Sequence, residues 1–139
     1  MSIRCSLHAA ALAAVTLAIG ACHSAPALPV QEGVVPVTGG DQLYFRLVGA
    51  PAADTVVLLH GGPALSSQYL EAGFGELGRR HALLFYDQRG RGRSSVPRSL
   101  DSLSLARDVT DLEEIRAHFQ LGPMTLVSHQ WGAGIALKY

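Results

Sequence analysis

The chain has 139 residues, room for one modest domain. Hydrophobic residues make up 48% and the formal charge is zero at pH 7, a globular composition that argues against nucleic acid as a partner. The two cysteines, Cys5 and Cys22, both lie near the N-terminus, so no disulfide framework braces the body of the protein.

Arg4 is the only charged residue before Glu32, and Leu7–Ala21 is apolar and rich in alanine. That run is short for a bilayer core, which takes about 20 residues. A basic start, a short apolar stretch and small residues before a cleavage point describe a secretory signal. Ile19-Gly20-Ala21-Cys22 resembles the lipobox of bacterial lipoproteins. The resemblance implies cleavage before Cys22 and acylation of its thiol, and several acyl chains on one residue anchor a protein stably. An ordinary cleaved signal and an uncleaved anchor are the alternatives. The expected organisation is a signal peptide over 1–21, a tether over 22–32 containing Pro26 and Pro29, and a domain over 33–139. The expected location is the bacterial cell envelope, held to the membrane by lipid, or a secreted or periplasmic site if the signal is of the ordinary kind.

Gly33–Val37 and Leu43–Val48 are rich in β-formers and are joined by Thr38-Gly39-Gly40-Asp41, a hairpin signal. Pro36 places the first of these strands at an edge. Gly49–Asp54 is a loop. Thr55–Leu59 is apolar without alternation, as in a central strand covered on both faces, and it runs into His60-Gly61-Gly62-Pro63. Ser66 or Ser67 caps a helix reaching about Leu77, which Gly73, Gly75 and Gly78 weaken. His81–Tyr86 is a second buried strand, followed by the polar, glycine-rich loop Asp87–Ser94. Val96–Leu103 is irregular. Leu105, Val109, Leu112, Ile115 and Phe119 recur at helical spacing within Ser104–Phe119, and Gly122-Pro123 stops that helix. Met124–Val127 is a third buried strand, and Leu126–Gly134 (LVSHQWGAG) reads as strand, turn and helix.

After the hairpin, strands and helices alternate. This predicts an α/β fold, a mostly parallel sheet with helices on both faces. Ligand sites in such sheets lie beyond the carboxyl ends of the strands. Residues 60–63, 87–94 and 128–134 all fall at such ends.

These three segments resemble the α/β-hydrolase family, and the first two are similar to its proline iminopeptidase-like members. The resemblance covers about Glu32–Tyr139 and implies the N-terminal portion of the family's fold. It implies acyl transfer, in which a serine attacks a carbonyl, a histidine takes its proton and an acid orients the histidine. Carried over, Gln130 occupies the nucleophile position of the elbow, and the backbone N–H groups of Gly62 and Trp131 form the oxyanion hole. Pro63 has no N–H to offer. His60, Gly61, Asp87, Arg89 and Gly90 belong to the supporting loops. The implied ligand is a small molecule or peptide with an ester or amide bond. Nucleic acid, a metal and a cofactor are not expected.

The sequence departs from the family's pattern in several places. Ala64 stands where the iminopeptidase loop continues with glycine, and Ser128 stands where the elbow has glycine. Gln130 is neither serine nor aspartate, and it is not expected to be a competent nucleophile. The family's acid and base follow its nucleophile, whereas none of the nine residues after Gln130 is Asp, Glu or His. The readings this leaves are a piece of a longer lipid-anchored hydrolase, a complete non-catalytic relative that binds ligand in the envelope, and a chain completed by a partner. His129 and Ser128 are weak substitutes for base and nucleophile, Ser128 being expected to be buried. Asp87 is expected to bond its own loop. Arg89, Arg91, Arg93 and Arg98 form a basic cluster expected to be solvated and to brace the loop, with contact to an anion or substrate carboxylate as the alternative. His81 and His118 are expected on the surface, and Trp131 beneath the turn. In the family's strand order Met124–Val127 is an apolar edge, which invites oligomerisation.

Overall fold

A computed structural model describes residues 27–49 and 54–139. The predicted signal peptide, Cys5, Cys22 and the first part of the tether lie outside them. The strands are β1 (Val30–Val37), β2 (Asp41–Val48), β3 (Val56–Leu59), β4 (Leu83–Tyr86) and β5 (Thr125–Ser128). The helices are α1 (Gln68–Phe74), α2 (Leu105–His118) and α3 (Trp131–Lys138), with short 3₁₀ turns at Leu77–Arg79 and Leu100–Ser102.

The five strands form one sheet in the order β1-β2-β4-β3-β5. Strand β2 is antiparallel to both β1 and β4, while β3 pairs in parallel with β4 and β5. Only β2 therefore runs against the others, and the sheet is mixed but mostly parallel. The unbroken apolar runs of β3 and β4 are buried at every position, because helices cover both of their faces. Alternate residues serve the two cores. Val57, Leu59, Leu84 and Tyr86 meet Leu112 and Ile115 of α2 and Ile135 of α3. Val56, Leu58, Leu83 and Phe85 meet Leu70 and Phe74 of α1 on the other face.

The hairpin forms as its turn residues predict, and β1 is an edge. The strand starts earlier than expected, however. Val30, Gln31 and Glu32 pair with Val48, Leu47 and Arg46, so the last three residues of the predicted tether belong to the sheet. Helix α1 is shorter than predicted, and Ser67 at its start makes no side-chain cap. Its hydroxyl accepts instead from Arg93 Nη2 at 3.1 Å. Ser104 does cap α2, accepting from the Arg107 N–H. Helix α2 stops before Gly122-Pro123. Gln120 takes the left-handed conformation (φ 52°), with the Leu121 N–H returning to Arg116 O and the Gln120 N–H to Ala117 O. That is a Schellman closure built on glutamine. Strand β5 is not buried as predicted. It pairs on one side only, with Leu126 and Val127 half-exposed, and forms the apolar edge that the family order implies.

Candidate active site

Strand β5 ends at Ser128 and α3 begins at Trp131, so His129 and Gln130 alone turn the chain. Gln130 holds φ 47° and ψ −111°, outside the regions an L residue normally occupies. Such a conformation costs about 1–3 kcal/mol and persists only where the surroundings impose it. Here the His129 N–H donates to Leu59 O (3.0 Å), and the Gly132 and Ala133 N–H groups donate to His129 O and Gln130 O (both 2.9 Å). Gly132 lets α3 start directly against β3, since a Cβ at that position would lie 2.4 Å from Leu59 O. Gln130 and His129 are exposed at the top of the turn, and Ser128 is also exposed, not buried as the sequence suggests.

The loop after β3 faces this turn. His60 is fully buried, accepts the Gln88 N–H at Nε2 (3.0 Å) and donates from Nδ1 to Gly61 O. Burial pushes its pKa down, in keeping with a neutral ring carrying its proton on Nδ1. The Gln88 side chain returns a bond to His60 O at 2.7 Å. His60 thus fastens two loops together and has no free nitrogen for proton transfer. The Gly61 N–H donates to the Tyr69 hydroxyl (2.9 Å), which lies 2.7 Å from His129 Nδ1. A Cβ on Gly61 would come within 2.8 Å of Gln130 Oε1 and 2.9 Å of His129 Nδ1.

With the Gly61 amide occupied, the N–H groups of Gly62 and Trp131 have no acceptor among the described residues. Their backbones adjoin, because a Cβ built on Gly62 would lie 3.8 Å from Trp131 Cβ and 3.6 Å from Arg91 Nε. Two unpaired donors therefore sit beside the strained turn. Trp131 is not beneath the turn as expected. The residue is 37% exposed, and its Nε1 donates to Asp108 of α2 at 2.7 Å.

The loop after β4 holds the arrangement in place. Asp87 is fully buried, accepting from the Ser67 N–H (2.7 Å), the Arg93 N–H (2.8 Å) and Arg93 Nε (3.1 Å). Burial opposes its charge, but these bonds prevail and hold its carboxyl below the usual range. Gly90 turns the chain at φ 67° beneath Pro97 and Leu103. The arginine cluster braces the loop, but Arg89 is not solvated. It is 1% exposed and bonds Asp41, Asp111 and Thr38 O. Arg91 pairs with Asp108, and Arg93 pairs with Asp87 and Glu71 while lying 3.7 Å above the Tyr44 ring. The Arg98 backbone N–H reaches Asp41 at 3.3 Å. His81 and His118 lie at the periphery, His81 beside Asp54 and His118 against Phe45 and Phe119.

Sequence reasoning did not single out Tyr69, Asp41, Asp108 or Asp111. A signal existed for the last two. They occupy the face of α2 that also carries Leu112 and Ile115, and acids on a buried face call for buried cations.

A mostly parallel sheet with a strained strand-to-helix turn at its carboxyl edge, facing a glycine loop with free amides, defines the α/β-hydrolase class. The comparisons agree. A family profile described as alpha/beta hydrolase fold matches residues 54–139. The chain is 35% identical over 116 residues to a proline iminopeptidase of Lactobacillus helveticus, covering 81% of this chain and 39% of that protein. A proline iminopeptidase-related protein of Thermus thermophilus superposes with a TM-score of 0.74 at 28% identity, over 80% of this chain and 40% of that one. Epoxide hydrolase A of Mycobacterium thermoresistibile gives 0.70 at 26% identity, over 79% and 34%. The chain belongs to the alpha/beta hydrolase family, and it spans about two fifths of the length of the curated relatives it matches.

Proposed function

We propose that this chain holds the carbonyl of an ester or amide at the Gly62 and Trp131 N–H groups and forms no covalent bond to it through Gln130. The observation that carries this is the elbow itself. Gln130 keeps the strained φ 47° beside two unpaired donors. A carbonyl oxygen placed there accepts both N–H groups and is polarised toward attack. Attack does not follow, because the carboxamide nitrogen's lone pair is delocalised into its own C=O and the group yields no anion at neutral pH. Turnover through a covalent acyl intermediate would need a different residue at 130. Kinship with proteins named proline iminopeptidases supports an amide, with an N-terminal peptide bond as the leading candidate. A serine-directed fluorophosphonate is expected to leave the protein unmodified by intact-mass spectrometry. Stoichiometric labelling would overturn this reading.

We also infer, from the sequence pattern, that the protein is held in the bacterial envelope through Cys22. The Ile19–Cys22 pattern supports it. So does the entry of the chain at Val30, in register with Val48 and Leu83 at the amino end of the parallel strands, the end away from the site. Expressed with its leader in a bacterial host, the protein is expected to incorporate labelled palmitate. Incorporation that persists in Cys22→Ser excludes this anchor.

A further inference from the structure

The Arg91 side chain is only 8% exposed, and Nη1 alone is engaged, by both oxygens of Asp108 at 3.1 and 3.2 Å. Asp108 in turn is 1% exposed and accepts Trp131 Nε1. The guanidinium lies 5.7 Å from the centre of the Trp131 ring. This leaves the Nε–H and Nη2 groups of Arg91 without acceptors among the described residues. Nε lies on the Gly62 side, 3.6 Å from where a Gly62 Cβ would stand. A nearly buried guanidinium with unspent donors thus adjoins the two unspent backbone donors of Gly62 and Trp131. Trp131 is also the first residue of α3, so the positive end of that helix points the same way.

A neutral carbonyl oxygen uses at most two of these donors. A carboxylate has two oxygens and about four acceptor positions, and its planar fork matches a guanidinium edge. Asp108 opposes an incoming anion by its charge, but its oxygens are already committed to Arg91 and Trp131. Asp87 is likewise spent on Ser67 and Arg93. Gln130 adds no negative charge at the elbow, where a nucleophilic aspartate would repel an anion. We infer that Arg91, with the Gly62 and Trp131 amides, makes this a carboxylate-binding site whose preferred ligand is an organic acid and not its neutral ester or amide. This rests on the carbonyl-binding reading above and adds the charge of the ligand.

The test compares 4-phenylbutyrate with 4-phenylbutyramide by titration calorimetry on the wild-type protein and on Arg91→Gln. The acid is expected to bind at least tenfold more tightly than the amide. That preference should weaken as salt is raised and fall to below threefold in Arg91→Gln. Equal affinities of acid and amide for the wild type would overturn the inference and leave the carbonyl-binding reading standing. Binding of neither compound would overturn both. The wild-type comparison needs no variant, so a poorly folded Arg91→Gln protein would not shelter the claim.

Discussion

Gly132→Ala is expected to destabilise the protein by about 3 kcal/mol, the upper part of the range for forced overpacking. The added Cβ would lie 2.4 Å from Leu59 O and 2.8 Å from Leu59 C. Its neighbour is the backbone of β3, held on both sides by β4 and β5, so no side-chain rotation relieves the contact. Relief requires α3 to move off the sheet, which breaks the bond from the His129 N–H to Leu59 O and carries the Trp131 amide away from Gly62. Gly73→Ala is the control. A Cβ there meets nothing within 4 Å, and the residue lies inside α1. The alanine should stabilise by up to about 1 kcal/mol through helix propensity. Urea unfolding of the two variants measures the difference. If Gly132→Ala unfolds at the same midpoint as Gly73→Ala, the close packing of α3 on β3 is not what positions the elbow.

Much of the fold was legible in the sequence, although the close approach of Gly132 to Leu59 was not. The apolar runs at 55–59 and 81–86 announced strands covered on both faces, and the 4-3-3-4 spacing from Leu105 to Phe119 announced α2. These signals are local, because burial on one face or two dictates the apolar pattern directly. The elbow was legible for the same reason, as a short apolar run ending in a glycine-bearing turn. What could not be read was the pairing of charges across the chain. Four arginines between residues 89 and 98 read as a hydrated cluster, which puts Arg89 in solvent. Nothing local reveals that Asp41 and Asp111, 48 and 22 residues away, meet its guanidinium in the interior. Ser67 looked like a helix cap until Arg93 claimed its hydroxyl. Trp131 is expected beneath the turn, but its ring nitrogen donates to the buried Asp108 of α2 while the residue stays partly exposed. In each case a long-range polar contact overrode the expectation of a residue type.

The interior charges also govern how the site depends on the rest of the fold. Arg89 leaves the β4 loop and ties the hairpin turn, through Asp41 and Thr38 O, to α2 through Asp111. Next along the loop, Arg91 reaches the same helix at Asp108, which holds Trp131. Helix α2 therefore positions the elbow from one side by two acids three residues apart. Losing the first pair should loosen the second.

Arg89→Met is expected to destabilise by about 3–5 kcal/mol, the cost of removing one partner from a buried ion pair. The methionine fills most of the volume, so the loss reflects two carboxylates left facing each other without a cation. Asp41 is 3% exposed and Asp111 1%. Burial already pushes the Asp111 carboxyl up, against the lowering pull of Arg89, and that same pair pushes the guanidinium up. For the acid, burial outweighs the ion pair; for the base, the hydrogen bond to Asp111 outweighs burial. Their sign sets the pH dependence. An acid whose folded pKa exceeds its unfolded value destabilises the fold as pH rises between the two, and the loss is recovered as pH falls through that window. Without Arg89 the folded pKa of Asp111 climbs further and the window widens upward. The stability deficit of Arg89→Met should therefore be largest at neutral pH and shrink on acidification. Adding Asp111→Asn should recover part of it at pH 7 and flatten its pH dependence. Urea midpoints across pH 5 to 8 for the wild type, Arg89→Met and the double variant decide the matter. A deficit that is constant with pH, and unchanged by Asp111→Asn, would mean that lost packing and not an uncompensated buried charge is responsible.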